Sequence, residues 1–236
     1  MGDYPYHGSS VGRRLSVCDG RFAGIYIFSV LAVELASKKV MIIGITGGIG
    51  SGKSTIARGL RELGYMVYDT DHAAKRLIME DESVHRQIED LLGRDVFKDG
   101  VYQTQLVAQR VFNDRRLLDK LNGIVHPAVK SDIQEWQKKQ EREGIELLFL
   151  ECAILYEAKL DTVCDKVVLI TAPEAIRLER TMLRDGANAD QVRARMRSQQ
   201  AGESVTSADL VVNNDGKTEI MTICLQIRDF FCNFAG

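Results

Sequence analysis

The chain has 236 residues, 45 % of them hydrophobic, enough for one substantial core or a core with a small appended subdomain. With 31 Lys and Arg against 33 Asp and Glu, the net charge is −2, which excludes a global basic field that attracts nucleic acid or anionic membrane, so any anion site must be local. Five widely spaced cysteines (Cys18, Cys152, Cys164, Cys224, Cys232) contain no C-x-x-C pair, which argues against a disulfide framework or a zinc site and predicts reduced thiols in a cytoplasmic protein.

Residues 1–40 do not match the rest. Residues 1–21 are rich in Gly, Ser and Arg, and the apolar run 22–33 is interrupted by Glu34, too short to span a bilayer. Arg13-Arg14 ahead of that run is reminiscent of a signal peptide, but Asp19 and Arg21 break the pattern and no clean cleavage site follows. Met41 stands directly before the first convincing strand. Residues 1–40 are therefore expected to be an atypical extension, disordered or not native, with an amphipathic membrane-associating arm as the alternative.

From Val40 the pattern is strand (40–45), glycine turn, and helix (53–63) ending at Gly64. A short strand at 66–69 runs into Asp69-Thr70-Asp71, followed by helices at 73–79 and 83–92. Residues 104–143 have helical spacing, with breaks predicted at Asn113-Asp114 and His126-Pro127. Strands are predicted at 146–151, 166–171 and 209–212, separated by helices near 173–184 and 189–200 and followed by one near 217–232. Such alternation predicts an α/β fold, a parallel sheet with helices on both faces in three layers. The helical stretch, about 72–143, reads as an insertion, and about 174–202 as a lid, within one domain over 41–236.

The most informative segment is Gly47-Gly48-Ile49-Gly50-Ser51-Gly52-Lys53-Ser54, a complete G-x-x-x-x-G-K-[S/T] loop between an apolar strand and an amphipathic helix. Glycines let successive backbone N–H groups converge on phosphate oxygens, where side chains would intrude. Lys53 supplies a point charge for the β- and γ-phosphates, Ser54 a hydroxyl for Mg²⁺, and the helix its positive N-terminal end. Thr55 adds a contact for the α-phosphate. The plain alternative is a glycine-rich turn with a chance Lys-Ser. ATP with Mg²⁺ is the expected nucleotide.

A phosphate loop does not name the acceptor. A kinase needs a carboxylate near the γ-phosphate and cations over the transferring group. Asp69 and Asp71, at a strand's end, suit the first requirement, although Asp71 could instead cap the following helix. For the second, Arg177, Arg180, Arg184, Arg193, Arg195 and Arg197 fall within two helices around Asp185-Gly186-Ala187. Arg180 and Arg184, four apart, are expected on one helical face of a hinged lid; a solvated basic face is the alternative.

These residues resemble the dephospho-coenzyme A kinase family over nearly all of 41–232. The stretch from Ile43 to Thr55 is similar to that family's opening, Tyr68-Asp69-Thr70-Asp71 to its Asp-x-Asp step, and His126-Pro127 to its His-Pro motif. Arg180 and Arg184 resemble its lid arginines, and Ala208-Asp209 followed by Asn214 its segment near the adenine. The resemblance implies a P-loop kinase fold and transfer of the ATP γ-phosphoryl group to the ribose 3′-hydroxyl of dephospho-coenzyme A. It makes Asp71 the general base or acceptor-orienting carboxylate, with Lys53, Arg180 and Mg²⁺ stabilising the moving group. It gives His126 to the acceptor, and Gly48, Gly50, Ser51, Gly52, Lys53, Ser54, Thr55, Arg184 and Asn214 to the nucleotide. Ala153-Ile154-Leu155-Tyr156-Glu157 departs from the family's Pro-Leu-Leu with a following Glu.

Another small-molecule kinase of nucleoside, shikimate or gluconate type would carry the same loop and lid. A GTP-binding switch would carry an Asn-Lys-x-Asp reader, and Asn213-Asn214-Asp215-Gly216 lacks its lysine. A nucleotide-dependent assembly protein is a third class. The expected partner is a small molecule, with no nucleic acid and no membrane, and the expected state a monomer or weak homo-oligomer.

Overall fold

The computed structural model describes residues 40–112, 114–199 and 207–232. The extension expected at the N-terminus lies outside them, apart from Val40. Among the described residues the strands are β1 (Met41–Thr46), β2 (Met66–Asp69), β3 (Phe97–Lys98), β4 (Val101–Tyr102), β5 (Leu147–Glu151), β6 (Lys166–Thr171) and β7 (Leu210–Asn213). The helices are α1 (Lys53–Glu62), α2 (Thr70–Glu80), α3 (Glu82–Leu92), α4 (Thr104–Phe112), α5 (Arg115–Arg142), α6 (Glu174–Asp185), α7 (Ala189–Gln199) and α8 (Ile220–Cys232).

The main sheet is parallel throughout, in the order β2-β5-β1-β6-β7. Its strands read as continuous apolar runs because both faces are covered. Along β5, Leu148 and Leu150 turn to one face, with Ala73 and Leu77 of α2 and Val129 and Ile133 of α5. Leu147 and Phe149 turn to the other, with Ile56 and Leu60 of α1 and Ile223, Ile227 and Phe231 of α8. The two-residue period of a strand thus feeds two cores and makes three layers. Burying each such Leu, Ile or Phe contributes about 1.5–3 kcal/mol.

The chain passes from β1 to the edge strand β2, returns through α2–α5 to β5, and then crosses to β6 on β1's other side. That reversal opens a crevice beyond the carboxyl ends of β1 and β5, where an open α/β sheet binds ligands. A third apolar cluster, including Ile78, Val84, Ile88, Leu92, Val107 and Leu121, joins α2–α5 to one another beside the crevice.

The structure corrects three sequence-based expectations. First, α5 does not break at His126-Pro127 but runs through Pro127 from Arg115 to Arg142. Proline removes an N–H and crowds the carbonyl four residues back, here that of Gly123; burial of Leu121, Val129 and Ile133 on either side of it holds the helix together. The other expected break, at Asn113-Asp114, agrees with the Asp114 cap, which accepts from Leu117 N at 3.0 Å. Second, α2 begins at Thr70, three residues earlier than predicted, and its cap is Asp69, accepting from His72 N at 2.9 Å. Asp71 therefore lies in the first turn and is not a cap. Third, the β3–β4 hairpin went unpredicted, its strands being only two residues each.

Candidate functional site

The phosphate loop joins β1 to α1, and two left-handed glycines shape it. Gly52 (φ 94°) caps α1, and a Cβ there would lie 2.1 Å from Asn214 Nδ2. Gly50 (φ 78°) lies against α6, where a Cβ would come within 2.4 Å of the Arg177 carbonyl oxygen. Side chains at both positions would be excluded by backbone strain and by contact.

Two side chains hold the loop from behind. Arg177, 9 % exposed, donates from Nε to the Ile49 carbonyl at 2.9 Å. Asn214, 2 % exposed, donates from Nδ2 to the Ser51 carbonyl at 2.9 Å, and its own carbonyl accepts from Arg180 Nη1 at 3.0 Å. Asn214 N completes the tie by donating to Thr171 O at 2.7 Å. Asn214 stands just beyond the carboxyl end of β7, whereas Asp209, grouped with it by the sequence pattern, is at the opposite end. There Asp209 accepts from Lys166 Nζ and Val167 N, both at 2.8 Å, and fastens β7 to β6 away from the site.

Within the loop, Lys53 is buried and donates to the carbonyls of Gly47 at 2.6 Å and Gly48 at 3.2 Å. Thr55 continues α1, its N–H donating to the Gly52 carbonyl at 3.1 Å. The Ser51 Oγ and Asn214 Oδ1 are buried without a hydrogen-bond partner among the described residues, which leaves two polar atoms beside the loop available to a ligand.

Ser54 donates from Oγ to Glu151 Oε1 at 2.6 Å. Glu151 ends β5, and its carbonyl is held by Thr70 Oγ1 at 2.9 Å. Burial pushes the Glu151 carboxyl above its ordinary range, against the lowering effect of the Ser54 hydrogen bond. Because Ser54 directs its proton toward Glu151, its lone pairs are left for a cation. No group of three or more His, Cys, Asp or Glu suited to a metal occurs among the described residues. A hydroxyl and one carboxylate suit Mg²⁺, which takes few protein ligands and completes its shell with water and phosphate oxygens.

In front of the loop is a cavity of about 1140 Å³. Ile49, Gly50, Lys53 and Ser54 form its donor end, with Asp69, Asp71 and Glu151 alongside. His126, Pro127 and Gly123 of α5 form one stretch of its lining, the α5 wall, and Ala153, Ile154, Glu157 and Ala158, after β5, another, the floor. Besides Lys53, five cations line it: Arg115, Lys130, Lys159, Arg184 and Arg195. Burial pushes the His126 imidazole below its ordinary value, so the ring is neutral at pH 7. Because Pro127 has no N–H, the Gly123 carbonyl lacks its usual helical partner beside this wall.

The six arginines of α6 and α7 take different places. Arg177 is buried under the loop, Arg180 reaches Asn214 beside Gly52, and Arg184 lines the cavity. Arg193 pairs with Asp190 at 3.6 Å. Asp185 bridges Arg184, at 2.7 Å, and Arg195, so α6 and α7 are clipped together across the expected hinge. Hydrogen bonds from these two guanidinium groups hold the Asp185 carboxyl well below the usual range. Among the candidates, Asp71, Lys53, Ser54, His126 and Arg184 therefore share one cavity, and Arg180 and Asn214 flank the loop outside it. Sequence reasoning missed Gln199, which reaches both the loop and the floor, and the structural part of Arg177, because nothing local separates a lid arginine from a buried one.

Comparison with known proteins matches residues 41–219 to the family described as dephospho-CoA kinase. A dephospho-CoA kinase of Porphyromonas gingivalis is 41 % identical over 169 residues, 72 % of this chain and 82 % of that protein. The crystal structure of TT1252 from Thermus thermophilus is similar with a TM-score of 0.69 and 32 % identity, covering 81 % of this chain and 97 % of the other. A dephospho-CoA kinase from Campylobacter jejuni shares the fold, with a TM-score of 0.60 at 22 % identity over 80 % of this chain and 96 % of its own. With a phosphate loop, an acidic strand end and a neutral histidine around one cavity, and with relatives of this identity and coverage, the chain belongs to the dephospho-CoA kinase family.

Proposed function

We propose that this chain transfers the γ-phosphoryl group of ATP to the ribose 3′-hydroxyl of dephospho-coenzyme A, giving coenzyme A and ADP, the last step of coenzyme A biosynthesis. The observation that supports it most is the shared cavity of Lys53, Ser54, Asp71 and His126. Family membership adds the acceptor's identity.

Asp71, in the first turn of α2, orients the acceptor hydroxyl and takes its proton as the phosphoryl group leaves ADP. His126, neutral, holds the acceptor by hydrogen bonding from the α5 wall. Lys53 exchanges its loop carbonyls for the β- and γ-phosphates. Gly48, Gly50, Ser51, Gly52 and Thr55 present backbone or hydroxyl donors to the phosphates. Arg180, beside Gly52, adds charge on the nucleotide side with Asn214, and Arg184 adds it at the cavity. Ser54, supported by Glu151, would hold Mg²⁺. That ion, when bound, neutralises phosphate charge. The helices from Thr70 to Arg142 serve the acceptor, and α6 and α7 close over the reacting groups. The enzyme works in the cytoplasm on a small molecule, as a monomer or weak homo-oligomer; among the described residues no helix is long and apolar enough to cross a membrane.

The test is coupled ADP release with dephospho-coenzyme A beside shikimate, gluconate and nucleosides, in the native chain and in Asp71→Asn. Turnover is expected with dephospho-coenzyme A alone, and Asp71→Asn should lose roughly 100-fold or more in kcat while still binding ATP. No turnover with dephospho-coenzyme A would overturn the assignment, and wild-type kcat in Asp71→Asn would move the base elsewhere.

A further inference from the structure

Gln199 ends α7, and its carboxamide spans two segments that otherwise belong to different halves of the site. Its Oε1 accepts from Ile49 N at 2.7 Å, in the phosphate loop. Its Nε2 donates to Ala153 O at 3.0 Å, on the cavity floor just after β5. The carboxamide orientation follows from the partners, since an N–H must meet the oxygen and a carbonyl must meet the nitrogen. Ile49, Ala153 and Gln199 all line the cavity that also holds Lys53, Ser54 and Asp71.

We infer that Gln199 is a positioning residue for phosphoryl transfer: by bridging the Ile49 N–H and the Ala153 carbonyl, it docks the lid helix and holds the donor loop in register with the acceptor floor. This rests on the kinase assignment above. The chemistry of the position selects a carboxamide. A carboxylate could accept from Ile49 but would set an anion against the Ala153 carbonyl, in a cavity already lined by Glu151 and Glu157, to which a bound γ-phosphate would add further negative charge. A cation could donate to Ala153 but offers Ile49 N no acceptor. A neutral group with one acceptor and two donors meets both ends without opposing the negative charge of the transferring group.

The bridge is also indifferent to a departure in the chain. The floor residue is Ala153 where the family pattern has proline, yet Gln199 uses its backbone carbonyl, which either residue supplies. Docking α7 at this point sets the spacing between loop and floor, on which in-line transfer depends, and covers the reacting groups against water.

Gln199→Leu and Gln199→Glu separate this role from simple packing. In both, kcat for transfer should fall roughly 10- to 100-fold while KM for ATP stays within about twofold. ADP release without acceptor should rise relative to transfer, as water gains entry. Gln199→Glu, which keeps the reach and one hydrogen bond, should do no better than Gln199→Leu. Native kcat and an unchanged ratio of hydrolysis to transfer in both variants would overturn the inference, as would rescue by Glu. If Gln199→Leu loses folded structure by circular dichroism, the Gln199→Glu profile decides alone. A native chain that does not phosphorylate dephospho-coenzyme A overturns the kinase assignment and this inference with it, whereas native turnover with unaffected variants overturns only the latter.

Discussion

At the scale of single residues, the proposed hold of His126 on the acceptor depends on its being uncharged. Its imidazole is half-buried in α5, and burial lowers its pKa from the ordinary 6.5. The sign follows directly: a depressed value keeps the ring neutral throughout the range above 6.5, and the cation forms only below it. The unfolded chain takes up that proton at higher pH than the folded one, so stability also declines as pH falls through 6.5 toward the folded value. KM for the acceptor should therefore be flat between about pH 8 and 6.5 and change only in the more acidic range. His126→Asn should raise KM at every pH and remove the acid change. Initial rates against acceptor concentration at each pH measure both, and a midpoint above 6.5 would count against a buried neutral ring. Asp71 and His126 were both legible as candidates because each stands in a short motif, but their shared cavity was not. It requires α2 and α5 to pack together, which the chain specifies through the spacing of Ala73, Leu77, Val129 and Ile133.

At the scale of elements, α5 shows where local rules fail. His126-Pro127 reads as a helix break, and the prediction was wrong because Leu121, Val129 and Ile133 are buried on both sides of the proline and hold the helix together. A proline retained in a helix interior is costly, by about 3 kcal/mol in exposed hosts, and here it leaves the Gly123 carbonyl without its helical partner beside the cavity. Pro127→Ala should restore the missing hydrogen bond and raise stability by about 1 kcal/mol or more, while KM for the acceptor rises. Denaturant unfolding and steady-state kinetics on the same variant test the two halves separately. A more stable enzyme with unchanged KM would show that the freed carbonyl does not serve the acceptor. In α6, expected as part of a lid, the arginines take different partners. Its arginines follow one another at helical spacing, but Arg177 turns under the loop, Arg180 toward Asn214 and Arg184 into the cavity. Periodicity fixes the face of a helix, and the neighbours on that face decide what each residue does.

At the scale of the whole molecule, the parallel sheet was legible because strands buried on both faces leave apolar runs, and the phosphate loop because its glycines are fixed by backbone geometry. The ties between distant segments were not: Asn214 to Ser51, Arg177 to Ile49 and Gln199 to Ala153 are separated by 163, 128 and 46 residues. The first two of these ties, with the Gln199–Ile49 bond, make the loop a junction for β7, α6 and α7, so a nucleotide seated there should stabilise the entire described domain and not merely α1. A non-hydrolysable ATP analogue with Mg²⁺ at 100 times its Kd should add about 2.7 kcal/mol. For a chain of this size, at about 2–4 °C per kcal/mol, Tm should rise by roughly 5 to 10 °C. The unfolding transition should move as one. Lys53→Ala removes the charge that the phosphates meet and should abolish most of that rise. Tryptophan fluorescence and far-ultraviolet circular dichroism followed through the same melt give the measurement, since Trp136 reports on α5, far from the loop in sequence. A shift in one signal without the other would separate the acceptor helices from the nucleotide core. An undiminished shift in Lys53→Ala would mean that the nucleotide is held elsewhere than in this loop.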